Sequence, residues 1–168
     1  MKVTLIMAVT VDGIIAHNHF HLPTWTCRSD KQMFKWLTQK AGVVVLGSKT
    51  HDTIGKSLAG RLNVVLTRHP ERYQACENLV FWNESPHNVL KKLETKGYEE
   101  VILAGGAIIN TLFLQARLID DILLTISPKI FGNGLSLFDK PCELDLELLE
   151  INKLEINTLL LHYRIIYP

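Results

Sequence analysis

Asp30 is the residue whose surroundings point most directly to chemistry. Phe34, Leu37 and Ala41 follow it at i+4, i+7 and i+11, so a helix from Asp30 to about Lys40 carries this carboxylate on its apolar face, with Ser29 placed to cap it. A carboxylate so placed can hold a proton or a hydrogen-bonding ligand, and in a first helical turn it also suits the positive end of the helix dipole. The pattern alone leaves both readings open. A second kind of chemistry is written in glycine. The stretch Glu99 to Phe113, EEVILAGGAIINTLF, reads as a buried strand, a turn at Gly105-Gly106 and a helix from Ala107, and Gly47-Ser48 makes a similar junction after Val43 to Leu46. Glycine lets a ligand approach the main chain, and the free N–H groups of a helix start attract phosphate. Such junctions also occur as plain tight connections. His17, His19 and His21 alternate along an extended segment as metal ligands would, yet no Cys or carboxylate stands at ligand spacing, so solvated loop histidines and no metal are expected.

The elements that must position these residues are those of one α/β domain spanning 1–168. The 168-residue chain, 47% hydrophobic, is long enough for one substantial core. Its 18 basic and 17 acidic residues are interspersed, so no tract suits a nucleic acid or an anionic membrane, and a small-molecule partner is expected. The opening MKVTLIMAVTVDG is neither a membrane span nor a signal peptide, and Cys27, Cys76 and Cys142 are odd in number and far apart; a cytoplasmic protein with reduced thiols is expected. The oligomeric state is left open, a homodimer included.

In chain order, strands are expected at Val3–Thr10, Val43–Leu46, Leu62–Thr67, Leu79–Trp82, the run before Gly105, and Asp121–Ser127. Between them lie the irregular segment 14–27, the helix from Asp30, a short helix Lys49–Ile54 stopped by Gly55, a helix begun by Ser85-Pro86 and ended near Gly97, and the helix from Ala107. Ile130 to Leu137 reads as a glycine-broken loop, and Leu144–Leu154 with Leu159–Tyr167 as an antiparallel hairpin turning near Asn157. Trp36 and Trp82 are expected to be packing residues. Alternating strands and helices imply a mainly parallel central sheet flanked by helices, with the antiparallel C-terminal hairpin at one edge and both glycine turns at the carboxyl ends of strands, where ligands bind in such sheets.

Several motifs resemble the dihydrofolate reductase superfamily, which includes the dihydrofolate reductases and the pyrimidine reductases of riboflavin synthesis. They are LIMAVTVDGIIA, Trp25 with Asp30 five residues on and then Met33-Phe34-Lys35, GSKTHDTIG followed by SLAGRLNVVLTR, and AGGAIINTLF. The segment ARLIDDILLTISPKIFGNGLSLF is closer to the riboflavin-pathway enzymes. The resemblance implies a dihydrofolate reductase-like fold and NADPH as cofactor. It implies catalytic roles for Asp30, Trp25 and Thr125, with Asp30 binding the amino edge of a pterin and Thr125 supporting its carboxylate. Substrate contacts fall to Ala8, Phe34, Ile54, Leu58 and Arg61, the last facing the glutamate α-carboxylate of folate. Cofactor contacts fall to Ala8, Ile15, Gly47, Ser48, Lys49, Thr50, Leu66, Thr67, Arg68, Ala104, Gly105, Gly106, Ala107 and Ile108.

Three departures stand out. Ser48 and Ile108 occupy positions where many dihydrofolate reductases carry arginine, a charge that Lys49 and Arg68 could replace, and Asn110 lacks the aromatic ring often found beside the nicotinamide. The expected activity is hydride transfer from NADPH to 7,8-dihydrofolate, a C=N reduction that also needs a proton on nitrogen. The alternative is 5-amino-6-(5-phosphoribosylamino)uracil reduction in riboflavin biosynthesis, with Arg61 or Lys49 meeting the phosphate; without H-x-E and P-C-x-x-C the deaminase of the bifunctional enzymes is excluded. A second alternative is a non-catalytic nucleotide-binding protein.

Overall fold

The strands that read as unbroken apolar runs lie at the middle of the molecule. A computed structural model describes residues 1–168 and places β3 (Val43–Gly47), β4 (Leu62–Leu66) and β6 (Glu100–Leu103) side by side, with Val43, Val44, Val45, Val64, Val101 and Leu103 wholly inaccessible. Their side chains are covered on both faces, which is why neither face needs polar residues. With β1 (Lys2–Thr10), β2 (Ile14–Ala16), β5 (Leu79–Trp82), β7 (Asp121–Ser127), β8 (Leu135–Ser136), β9 (Asp145–Glu155) and β10 (Thr158–Ile166), they form an eight-stranded sheet ordered β5-β4-β3-β6-β1-β7-β10-β9 and a separate ribbon, β2-β8. Six strands, from β5 to β7 in that order, are parallel; β10 runs antiparallel to β7 and β9 antiparallel to β10.

Helices cover both faces. Against one face, α3 (Pro86–Thr95) and α4 (Ala107–Gln115) bury Val89, Leu93, Ile109 and Phe113 in a core cluster of 16 residues. On the other, a cluster of only 4 residues, Val44, Leu46, Val65 and Leu79, packs against Ile54 and Leu58. Ile54 ends α2 (Ser48–Ile54), and α1 (Arg28–Ala41) also lies against the sheet, its contacts reaching β3, β6 and β9. No helix is long and apolar enough to cross a membrane.

Local signals explain most boundaries. Ser85 Oγ accepts the Asn88 N–H and Pro86 follows at the first helical position, while Gly42 and Gly55 close α1 and α2 with φ of 73°. Four expectations are corrected. The cap of α1 is Cys27, whose Sγ accepts the Asp30 N–H at 3.4 Å; Ser29 lies inside the helix, its N–H and hydroxyl donating to Glu155 Oε1 at 3.2 and 3.0 Å. Segments 14–27 and 130–137 are not wholly irregular, because β2 and β8 pair across them. Trp36 is 60% exposed beneath Lys40 rather than packed. Trp82 packs at the edge of the large cluster and also reaches the cleft described next.

Candidate active site

The carboxyl ends of the two central strands are tied together. Gly47 N–H donates to Gly105 O at 2.8 Å and Ala104 N–H to Val45 O at 2.9 Å, so the turns after β3 and β6 form one rim. Each glycine is there for lack of room. A Cβ on Gly47 would meet Ile109 Cγ1 at 2.9 Å and one on Gly105, where φ is +83°, would meet Met7 Sδ at 3.0 Å; one on Gly106 would lie 3.3 Å from Thr50 Oγ1. The Gly105–Gly106 peptide is cis. Within α4 the backbone first bonds back at Asn110, whose N–H donates to Gly106 O at 3.0 Å, so the N–H groups of its first turn are left for another partner. A narrow glycine rim beside a free helix start suits a diphosphate.

Beyond the rim opens a cleft of about 870 Å³ that runs from this turn to α1. The structure brings most of the expected site residues to its walls. At one end stand Ser48, Lys49, Thr50, Leu66, Thr67 and Arg68, with Gly47, Ala104, Gly106, Ala107 and Ile108 along the rim. At the other stand Trp25, Asp30, Phe34, Ile54 and Leu58, and Ala8 and Ile15 also line the cavity. Asp30 is 8% exposed on the first turn of α1, as its apolar periodicity implies. Gly105 supports the rim from behind and does not itself line the cavity.

Two residues depart from the arrangement expected of them. Arg61 does not face the cleft. It is 8% exposed, its Nε donates to Ala59 O at 3.2 Å, and its Nη1 donates to Lys35 O at 3.2 Å and to the Thr38 hydroxyl, so it fastens the segment before β4 to α1. Burial lowers its pKa from the ordinary value. Thr125 is wholly inaccessible on β7 and outside the cleft lining, and its hydroxyl makes no hydrogen bond, so the expected support of Asp30 is not made. The indole N–H of Trp25 is likewise buried without a partner.

Two loops meet beside this end. Asp12 accepts hydrogen bonds from the Thr10 hydroxyl at 2.5 Å and from the N–H groups of Phe131 and Gly132 at 3.2 and 2.7 Å, and these bonds, the one from Thr10 foremost, lower its pKa. Phe131 then receives the ring of His17 at 4.0 Å, that of His21 at 5.5 Å and the edge of Trp25 at 5.2 Å. His17 and His19 are exposed and His21 half-buried; His19 and His21 reach the cleft, where Thr53 pins the loop by donating to His19 O at 2.5 Å. Asn110 replaces the absent aromatic with an anchor: its Nδ2 donates to Leu137 O at 2.9 Å, while Thr111 Oγ1 accepts the Asp139 N–H at 2.9 Å.

Sequence reasoning missed Lys31, Thr53, Glu84 and Asp139, all of which line the cleft. Lys31 is exposed and makes no ion pair, whereas Glu84 is held by Lys92 at 2.5 Å and Asn88 at 3.1 Å, with its pKa lowered chiefly by Lys92. A one-residue step past Asp30 carries no periodic signal, and the remaining three become neighbours of the cleft only through the sheet order.

A mainly parallel sheet with a glycine rim, a buried carboxylate across the cleft and an antiparallel closing hairpin define the class: a reductase of the dihydrofolate reductase superfamily. Residues 1–160 match the model of the RibD C-terminal domain, so the chain belongs to that family. It is 28% identical over 106 residues to the dihydrofolate reductase of Haemophilus influenzae, covering 63% of this chain and 61% of that one. Among solved structures, RibD from Acinetobacter baumannii superposes with a TM-score of 0.82 at 20% identity over 99% of this chain and 58% of its own. A dihydrofolate reductase from Enterococcus faecalis complexed with NADP(H) superposes with 0.73 at 22% identity, covering 98% and 96%.

Proposed function

We propose that this protein reduces 5-amino-6-(5-phosphoribosylamino)uracil, or a close phosphorylated aminopyrimidine, with NADPH as hydride donor. The disposition of the cations carries the reading. Arg61, the partner a folate tail would need, is occupied by Ala59 O, Lys35 O and Thr38 outside the cleft, while Lys31 stands unpaired in the cleft beside Asp30. A folate reading thereby loses its carboxylate partner and a phosphate reading gains a cation. The family match to the riboflavin-pathway domain supports the same choice.

Bound along the glycine rim, NADPH would supply the hydride, with Thr67, Arg68 and Lys49 at the adenosine end and the first turn of α4 at the diphosphate. Asp30 would hold the amino and ring N–H edge of the pyrimidine and keep a proton near the nitrogen that must receive one. Trp25 and Phe34 wall that end against solvent, and the main chain at Ala8 fixes how closely two stacked rings can approach.

Loss of NADPH absorbance with each candidate substrate tests the proposal. Turnover is expected with the phosphorylated aminopyrimidine, and Lys31→Met is expected to raise its KM about tenfold to a hundredfold, the scale of a charged hydrogen bond. Dihydrofolate remains the second reading because Trp25, Asp30 and Phe34 share one end of the cleft. Turnover of dihydrofolate alone would select it, and NADPH binding without turnover of either compound would leave a nucleotide-binding protein.

A further inference from the structure

Asp30, Glu84 and Asp139 are the acids on the cleft wall, and the roles given so far leave Glu84 unused. Strand pairing puts it at the adenosine end. β4 and β5 run parallel with Leu66 beside Trp82, and Thr67 N–H donates to Trp82 O at 3.0 Å, so Arg68 and Glu84, each two residues past that pair, leave the same end of the sheet on neighbouring strands. Lys49 and Arg68, the cations of this end, are exposed and make no ion pair. Glu84 is half-buried and held on both oxygens: Lys92 Nζ donates to Oε1 at 2.5 Å and Asn88 Nδ2 to Oε2 at 3.1 Å. Asn88 and Lys92 lie one turn apart on α3, so a single helix face carries both donors. The Lys92 ammonium also lies 5.2 Å from the centre of the Trp82 ring, and Trp82 lines the cleft although Lys92 does not.

A dinucleotide along the glycine rim would bring its adenosine ribose to this corner, with either a free 2'-hydroxyl or a 2'-phosphate. A free carboxylate accepts hydrogen bonds from ribose hydroxyls and repels a phosphate, whereas guanidinium and ammonium groups attract one. Arg68 and Glu84 therefore pull the choice of cofactor in opposite directions, and the outcome turns on whether Glu84 is free. We infer, on the reductase reading given above, that Lys92 sets the preference for NADPH from outside the cleft: it pairs with Glu84, so that the adenosine end presents Arg68 and Lys49 without an opposing charge. Glu84 is the residue that discriminates, and Lys92 is a positioning residue that acts through it. With Lys92 removed, the carboxylate keeps only the neutral Asn88 and its charge falls on whatever the ribose carries. The chain thus stands one surface substitution away from losing its discrimination between the two cofactors.

Titration of the full chain against NADPH and NADH at low ionic strength, followed by the fluorescence of the reduced nicotinamide, tests this without any substrate. Lys92→Met is expected to weaken NADPH about tenfold, the scale of one uncompensated charge near a phosphate in a partly solvated site, and to leave NADH within about twofold of the wild type. The difference shrinks with added salt, as the loss of a packing contact would not. Lys92→Arg keeps the wild-type ratio of affinities. Adding Glu84→Gln to Lys92→Met returns NADPH affinity to within about twofold of the wild type, since the charge that repels the phosphate is gone. Equal weakening of both nucleotides by Lys92→Met, an unchanged NADPH affinity, or failure of Glu84→Gln to restore it overturns the inference and leaves the proposed function standing. A wild-type chain that binds neither nucleotide overturns both.

Discussion

The two faces of the central sheet are built for different ends. Beneath α3 and α4, 16 buried residues close around Phe113 and Leu103, and beside them Asn110 ties its Nδ2 to Leu137 O while its Oδ1 stays unpaired. Beneath α1 and α2 the comparable cluster has 4 residues, and the rest of that face is cleft, buried carboxylate and unpartnered hydroxyl. One face is filled and holds the fold together, so that the other can keep the unfilled space of the cleft and the unpaired hydroxyls of Thr125 and Ser127, features that a self-sufficient core would exclude.

Breaking the closed face should give the largest effect. Phe113, with no exposed surface, leaves a cavity on truncation, and Phe113→Ala is expected to cost about 3–5 kcal/mol in chemical denaturation, with activity lost only in proportion to the unfolded fraction. The opposite signature is expected from the open face. Asp30→Asn should lower turnover at least about a hundredfold while leaving the denaturation midpoint nearly in place, and a substrate already protonated should recover much of the rate. Wild-type turnover across pH in this variant would remove Asp30 from the chemistry.

At the amino end of β7, between β1 and β10, the comparison sharpens into a pH test. Asp121 meets Lys2 at 2.9 Å and His162 at 3.1 Å; burial alone would raise its pKa, but hydrogen bonds from Lys2 and then His162 outweigh that and lower it below the ordinary 3.8. A carboxyl whose folded pKa is lowered stabilises the fold above its unfolded pKa, and that stability is lost as pH falls through the folded one. Asp121→Asn should therefore cost about 1.5–3 kcal/mol near neutrality, the scale of a charged hydrogen bond, and flatten the acid limb of the stability curve. A variant with the wild-type acid limb would show that Asp121 does not set it. The smallest effect expected is on cofactor choice. Arg68→Ala should weaken NADPH by about 1–3 kcal/mol and hardly change NADH, as measured by fluorescence titration.

The central strands, the helix starts and the glycine rim were largely legible in the sequence because their signals are local. Continuous apolar runs such as Val43 to Leu46, the Ser85-Pro86 start and the double glycine each state their structure within a few residues. Asp30 belonged to the same class, since helical periodicity alone assigned it to the buried side. What was not legible depends on partners far along the chain. Arg61 looked free because nothing in its own segment reveals Lys35 and Thr38, which the packing of α1 brings to it. Cys27 went unnoticed as a cap because a thiol is a weak acceptor, and Ser29 beside it is the commoner choice; Glu155, from the far end of the chain, draws that serine away. Lys31 falls off the apolar stripe by one position and enters the cleft because the cavity wraps past the helix edge.

The bonds of Asp12 have a mechanical consequence. Its carboxylate grips the start of the C-terminal glycine loop, and the Phe131 of that loop is the slab on which His17, His21 and Trp25 rest. The two loops are therefore one linkage held at two points, Asp12 beneath the slab and Thr53 at His19 O, and the loop before α1 cannot lift without leaving both its slab and Thr53.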